Sequence, residues 1–298
     1  MFKSLNEEHK GVLFAIIAHL FWGGMALYFG LLRHVMPLEI AINRGLWSIP
    51  IAALVVSYLG QWRDVVAAFK NMRTLVMLLI TGLIVLFNWT FYIWCIQQGR
   101  TLDASLGYFI NPLLNVLAGY VFLHERFTKS QMLAIALAAF AVIFETVATG
   151  NFPFIGLALG GSFCIYGLMR KTIPVGPVPG FFVETVMIAL PLLLAEIWLG
   201  YQGEARFGAN SYDTLMLIGC GALTSGALIF YALSLKRLRY STAGLLQYLS
   251  PTLVFLIAVF VFGEKLDAWK LAGFAMIWLA LAIYSVSAIR EERQRVPA

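Results

Sequence analysis

Apolar runs of about 20 residues, each closed by a short polar break, recur from one end of the 298-residue chain to the other. Ten segments carry the pattern, near 11–32, 38–59, 74–96, 103–123, 129–149, 153–170, 179–200, 213–235, 242–262 and 268–288. As α-helix each is long enough to cross about 30 Å of hydrocarbon. The connections are short, and the longest, 201–212, is polar and contains glycine, as a surface loop should. Ten-residue stretches of alternating hydrophobicity, the mark of a membrane β-barrel, are not evident. The pattern predicts an all-α polytopic membrane protein with ten transmembrane helices. The first apolar run, from Gly11 past Leu27, suits an uncleaved first span.

Within this pattern one helix design appears twice. SLGYFINPLLNVLAGYVFLHERFTKS (105–130) is apolar with a polar stripe, an internal proline and a charged end; GLLQYLSPTLVFLIAVFVFGEKLDAWK repeats that grammar from Gly244. An offset of 139 holds without a gap from Asn88 to Glu145, placing Tyr92 on Tyr231, Arg100 on Arg239, Ala104 on Ala243, Pro112 on Pro251, Gly119 on Ala258 and Glu125 on Glu264. The earlier spans align less evenly: Trp22-Gly23 meets Tyr166-Gly167 at an offset of 144, and Pro37 meets Pro179 at 142. Two halves, 1–150 and 151–298, follow. Five spans per half is an odd number, so the halves are expected to sit upside down relative to one another, with a substrate site near the midplane between them.

Composition and charge sharpen this picture. Hydrophobic residues make up 61% of the chain and charged ones 12%, with a mean hydropathy of +0.84. A water-facing domain carries roughly 25% charged residues, so this chain lacks the material to cover a solvated surface. The net charge of +6 sits in loops between spans and is no signal for nucleic acid. With the N-terminus inside, 15 lysines and arginines fall in inner loops and termini and five (Arg33, Arg100, Arg206, Lys265, Lys270) in outer ones, which places both termini in the cytoplasm. Cys95, Cys164 and Cys220 lie inside apolar spans and read as small buried hydrophobes. Neither a metal site nor a cofactor is expected.

The ten-span layout and the paired Pro…Glu helices resemble the drug/metabolite transporter superfamily, in its EamA branch. NRGLWS (43–48), NWTFYIW (88–94), SLGYFINPL (105–113) and the Glu125-Arg126 helix end are similar to the RarD-like subfamily. The resemblance implies a secondary carrier in the bacterial inner membrane that exports small metabolites or drugs; related proteins are commonly labelled chloramphenicol-sensitivity proteins or permeases. Small multidrug transporters of the same superfamily couple drugs to protons through a carboxylate in the first span, and residues 11–32 contain no Asp or Glu. Protons remain a candidate coupling ion through another group, beside uncoupled transport.

Polar groups at membrane depth mark the candidate chemistry, because unpaired donors and acceptors cannot face lipid cheaply. On a helical wheel Ser105, Tyr108, Asn111, Asn115 and Gly119 share an arc of about 120°. The second copy keeps Gln247 and Ser250 on that face. Asn88, Tyr92 and Tyr231 form similar one-sided groups, whereas Trp89 and Trp94 lie elsewhere on the wheel and read as lipid-facing or interfacial. His19, Trp22 and Tyr166 add ring surface and a group that titrates near neutral pH. Each is either a cavity wall or an interhelical contact. Pro112 and Pro251 each free a carbonyl one turn earlier, giving a hinge, a gate or a fixed kink. Arg44, about two turns inside its span, binds a substrate carboxylate, pairs with Glu184 or snorkels outward; Glu39 lies at the wet edge. Glu125 and Glu264, each followed by a base, read as surface ion pairs at opposite ends.

The function these signals favour is an alternating-access carrier of amino-acid-like metabolites or chloramphenicol-like drugs, with a small-molecule substrate and the lipid bilayer as partners. A non-transporting scaffold or sensor is the alternative. A membrane enzyme is least favoured, since HExxH, GxSxG and paired aspartates are all missing from the sequence.

Overall fold

The computed structural model describes residues 7–123, 128–150, 152–235, 237–238 and 246–295. Among them are eleven α-helices and no strand. They are α1 (Glu7–Leu31), α2 (Pro37–Leu59), α3 (Trp62–Phe69), α4 (Met72–Gln97), α5 (Thr101–Leu123), α6 (Lys129–Thr149), α7 (Phe154–Thr172), α8 (Pro177–Tyr201), α9 (Ser211–Leu235), α10 (Leu249–Leu256, continuing as a π-helical turn over Ile257–Val261) and α11 (Ala268–Arg295). Six stretches are long and apolar enough to cross a bilayer: His9–Leu31, Pro37–Leu59, Met72–Gln97, Pro177–Tyr201, Ser211–Tyr231 and Ala268–Ser287. Met132–Ala148, Phe154–Arg170 and Leu249–Val261 are shorter apolar helices. The chain is a multi-pass helical membrane protein.

Hydropathy predicts ten transmembrane helices; among the described residues six stretches meet the length and hydropathy of a span, and of the eleven helices α3 is the one not predicted. Its eight residues, WRDVVAAF, are too short and too polar to register as a span. They bury Val65 and Ala68, and the exposed Trp62 ring meets Phe182 edge-on at 5.4 Å. Gly60 ends α2 with φ +67°, the left-handed conformation that lets the chain turn directly into α3. The Asn71 side chain accepts from the Thr74 N–H at 3.0 Å and caps α4. The ninth predicted segment is interrupted by a turn at Gln247–Tyr248, between the helical Leu246 and the start of α10 at Leu249. The charged end at Glu125-Arg126 and the start of the second copy (Arg239, Ala243, Gly244) lie outside the described residues.

Many of the helix contacts fall into a matched set. Helix α1 packs on α9 and α10, and α7 packs on α4 and α5; α2 packs on α9, and α8 on α4. Matched pairs also include α2 with α8, α5 with α10, and α6 with α11, whereas the packing of α4 on α1, α2 and α5, and of α5 on α6 and α11, falls outside the matched set. Exchanging α1 with α7, α2 with α8, α4 with α9, α5 with α10 and α6 with α11 converts each contact of the matched set, though not those outside it, into another member. Glycines set the closest approaches. A Cβ on Gly107 would lie 2.6 Å from the Gly156 carbonyl oxygen, and one on Gly160 would lie 2.8 Å from that of Gly107. Helices α5 and α7 therefore touch backbone to backbone, as small residues permit in membranes.

Phe29, Ile40, Leu78, Ile93 and Ile96 fill the centre, and Phe109, Phe255 and Phe274 fill a second core between α5, α10 and α11. Outward positions stay apolar: Leu54, Phe122, Val147 and Phe260 are all strongly exposed, as a lipid-facing belt requires.

Polar contacts collect at the two ends of the bundle. At one end Arg237 and Lys10 hold Glu7 (2.9 and 2.7 Å); its carboxyl lies below the usual range because Lys10 foremost, then Arg237, donate to it. At the other end Gln97 donates to the carbonyls of Leu32 and Val35, and His34 meets Asp213 at 2.7 Å. Glu39 departs from its expected wet position. It is fully buried, and its Oε1 accepts the N–H groups of Arg206 (2.6 Å) and Phe207 (2.8 Å), tying the 202–210 loop to α2. Glu264 is more than a surface partner for Lys265: it accepts the N–H groups of Thr101 (2.7 Å) and Leu102 (2.8 Å) at the start of α5. A carboxylate there meets otherwise unpaired donors at the positive end of the helix dipole.

Candidate functional site

The predicted site residues gather into two clusters that occupy exchanged positions. One lies where α4, α5 and α7 meet. The Tyr108 hydroxyl donates to Asn88 Oδ1 (3.3 Å), and the Tyr108 and Tyr92 rings meet edge-on at 5.3 Å. The Asn88 amide donates to the Leu159 carbonyl (3.0 Å) and Ser162 Oγ (2.9 Å), and Asn111 donates to the Gly160 carbonyl (3.0 Å). Both carboxamides thus bridge to α7, whose glycines bring its backbone within reach. Asn115 donates to Asn111 Oδ1 (3.0 Å) and is itself exposed. Pro112 stands in the middle of α5, where a residue without an N–H leaves the Tyr108 carbonyl without a helical donor.

The other cluster lies between α1, α9 and α10. His19, Trp22 and Tyr231 pack as a ring triad with centroids 5.3–5.7 Å apart. His19 is fully buried; its Nδ1 is 3.0 Å from Ser250 Oγ, which also reaches the His19 carbonyl (3.2 Å). When the serine proton serves that carbonyl, Nδ1–H is the donor to Oγ and the lone pair falls on Nε2. That nitrogen has no hydrogen-bond partner among the described residues. Gln247 is exposed in the turn before α10 and does not extend the helical stripe. Pro251 occupies the first turn of α10, where a missing N–H breaks no helical bond. It therefore differs from Pro112, which interrupts a continuous helix as Pro50 does in α2 and Pro191 in α8. The Pro251 carbonyl accepts from Ser105 Oγ (2.9 Å), linking α10 to α5.

Two charged side chains flank these clusters. Arg44, 5% exposed, donates from Nε to Thr224 Oγ1 at 2.8 Å, and its guanidinium lies 4.2 Å from the Trp89 ring centre and 5.8 Å from that of Phe29. It neither snorkels nor pairs with Glu184, and among the described residues no carboxylate stands within 4 Å of it. Glu184, 1% exposed, accepts from Thr81 Oγ1 (2.5 Å) and the Tyr166 hydroxyl (3.2 Å), with Arg170 Nε at 3.6 Å. Glu196, in the same helix as Glu184, accepts from Asn43 Nδ2 (3.1 Å). A run of ring contacts joins the two charges: Phe29–Tyr92, Tyr92–Tyr108, Tyr108–Phe163 and Phe163–Tyr166, at 5.3–6.2 Å. Arg44, Asn88 and Tyr92 are all closed off from solvent. Among the described residues no group of three or more His, Cys, Asp or Glu is placed to hold a metal ion.

Trp89, Phe29, Thr224, Thr81 and Arg170 belong to these sites and were not singled out from the sequence. Trp89 is 7% exposed and stacked under Arg44, against the lipid-facing position that its place on the wheel predicts. A signal for the charged pair was present. Helix α2 begins at Pro37 and α8 at Pro177, an offset of 140 that also places Arg44 on Glu184. An offset of 141 brings the interior prolines Pro50 and Pro191 together.

The fold and the clusters define a helical membrane transporter. The EamA-like transporter family profile matches residues 9–147 and again 153–286, and the chain belongs to that family, as a RarD-like member of the drug/metabolite transporter superfamily. It is similar to an "Uncharacterized transporter" of Vibrio cholerae serotype O1, 41% identical over 96% of this chain and 95% of that one. It is also similar to "Protein RarD" of Salmonella typhi, 38% identical over 97% and 99% of the two chains. A crystal structure 19% identical in sequence superposes with a TM-score of 0.61 over 94% of this chain and 99% of the other, a likeness of fold alone.

Proposed function

We propose that this protein is a secondary carrier that exports small organic molecules, amino-acid-like metabolites or chloramphenicol-like drugs, across the bacterial inner membrane. It works by alternating access between two inverted five-span halves, 1–150 and 151–298, with both termini in the cytoplasm and α3 lying at the membrane surface outside the repeat. The exchange-matched helix contacts carry this reading: two clusters of like character, Asn88/Tyr92/Tyr108 and His19/Trp22/Tyr231, stand on corresponding helix triplets. Two separate family matches, one per half, support it as well. In such a scaffold the half-repeats rock about a common midplane site, which opens to each side in turn.

Arg44, Asn88, Tyr92, Tyr108, Asn111 and Tyr166 line the site on the side of the α4/α5/α7 cluster, and His19, Trp22, Tyr231, Gln247 and Ser250 on the side of the α1/α9/α10 cluster. Pro112 is the candidate hinge, and the first turn at Pro251 a candidate gate. His19, with its buried Nε2 acceptor, is the proposed proton carrier. Purified protein in proteoliposomes, or everted vesicles loaded with a metabolite and antibiotic panel, tests the reading. Saturable flux that Trp22→Ala abolishes is expected. A pH gradient is expected to drive flux in the wild type and not in His19→Gln. Flux that stays linear in concentration for every solute would defeat the proposal.

A further inference from the structure

Arg44 and Glu184 occupy corresponding positions, each seven residues after the proline that opens its helix. Each donates to or accepts from a threonine hydroxyl on the exchanged neighbour: Arg44 with Thr224 of α9, Glu184 with Thr81 of α4. Their neutralisation differs. Glu184 has Arg170 beside it, carried by α7. The α1 residue that corresponds to Arg170, by the offset that places Trp22 on Tyr166, is Ala26, which is fully buried and apolar. Among the described residues the first half therefore keeps the buried charge of this design and lacks its counter-ion.

A guanidinium stays ionised at physiological pH, and at membrane depth an unneutralised charge costs several kcal/mol. Trp89 and Phe29 offset part of that cost through their ring faces, and Thr224 takes one N–H. None of these supplies a negative charge. A guanidinium with one edge committed to Thr224 keeps a planar fork for a carboxylate, whose two oxygens match it bidentately. We infer that Arg44 receives the carboxylate of the transported solute, which makes this carrier selective for small organic acids, zwitterions included, with a flat apolar body that lies along Trp89, Tyr92 and Tyr108. The inference rests on the carrier reading. It adds that the missing counter-ion of the first half arrives with the substrate and completes the charge balance that Glu184 and Arg170 have built in.

The test compares phenylacetate with phenylacetamide, equal in shape and different in charge, and with inorganic phosphate. Binding is read as thermal stabilisation of the purified full chain, and transport as flux in proteoliposomes. In the wild type phenylacetate stabilises at millimolar concentration and phenylacetamide and phosphate do not; in Arg44→Gln the phenylacetate affinity falls at least about tenfold. The unliganded Arg44→Gln protein melts no lower than the wild type, because an uncompensated charge has been removed. Arg44→Lys keeps the charge, loses the fork and binds with intermediate affinity. Equal binding of acid and amide, preference for phosphate, or undiminished phenylacetate binding by Arg44→Gln overturns the inference. Saturable amide flux, unchanged in Arg44→Gln, leaves the carrier standing without an acid receptor. Saturable flux of neither compound, with no binding of either, overturns the inference and counts against the carrier reading too.

Discussion

Replacing Arg170 by Met keeps the apolar stem of the side chain and deletes the charge that faces Glu184. At a separation of 3.6 Å and an effective dielectric of about 20, the attraction between the two groups is roughly 4–5 kcal/mol. Glu184 is 1% exposed, so solvent cannot replace the lost partner; the bonds from Thr81 and Tyr166 remain and hold part of its charge. We expect Arg170→Met to destabilise the protein by about 3 kcal/mol. Glu184→Gln should cost less, about 1.5 kcal/mol, because Arg170 is partly exposed and its Nη2 also reaches the carbonyls of Gly176 (3.3 Å) and Pro177 (3.2 Å). The double variant should lose about 2.5 kcal/mol, leaving a coupling of about 2 kcal/mol. Equilibrium unfolding in mixed micelles, followed by tryptophan fluorescence, measures all three. Additivity within about 0.5 kcal/mol would show that the pair is not coupled and would remove the basis for contrasting it with Arg44.

Three further outcomes follow from close contacts. Gly180→Ala places a methyl group within the Arg170 guanidinium, so it should displace that side chain and reproduce part of the Arg170→Met loss in the same unfolding assay. Gly107→Val drives α5 from the α7 backbone and should cost more than about 2 kcal/mol, with transport lost while the protein still inserts in membranes. Glu264→Gln keeps one acceptor of two at the start of α5 and loses the charge; we expect a loss of about 1 kcal/mol and faster amide exchange at Thr101 and Leu102.

Six membrane spans were legible because a bilayer imposes length and hydropathy directly on sequence. Helix α3 escaped for the same reason: a polar helix of eight residues obeys neither constraint. The site was legible as polar residues at depth, but not as partnerships. Helical wheels separate Trp89 from Asn88 and Tyr92 and say nothing of the arginine that α2 brings to it. Asn88 and Asn111 show that depth alone does not give the partner, since both donate their amides to α7 carbonyls. Arg170 looked like a loop charge until α7 and α8 closed around Glu184. The offset of 140 that joins Arg44 to Glu184 was masked by Pro179, which offers a competing match for Pro37 two residues on.

Solute counterflow tests the carrier claim most directly. Proteoliposomes are loaded with excess unlabelled phenylacetate, and entry of labelled phenylacetate is followed from a dilute outer solution. A carrier that exposes one site to each side in turn returns loaded, so label should accumulate transiently above its equilibrium level, and empty vesicles should show only a slow rise. Identical uptake in loaded and empty vesicles, in which labelled panel solutes from the flux assay likewise show no overshoot, would contradict alternating access.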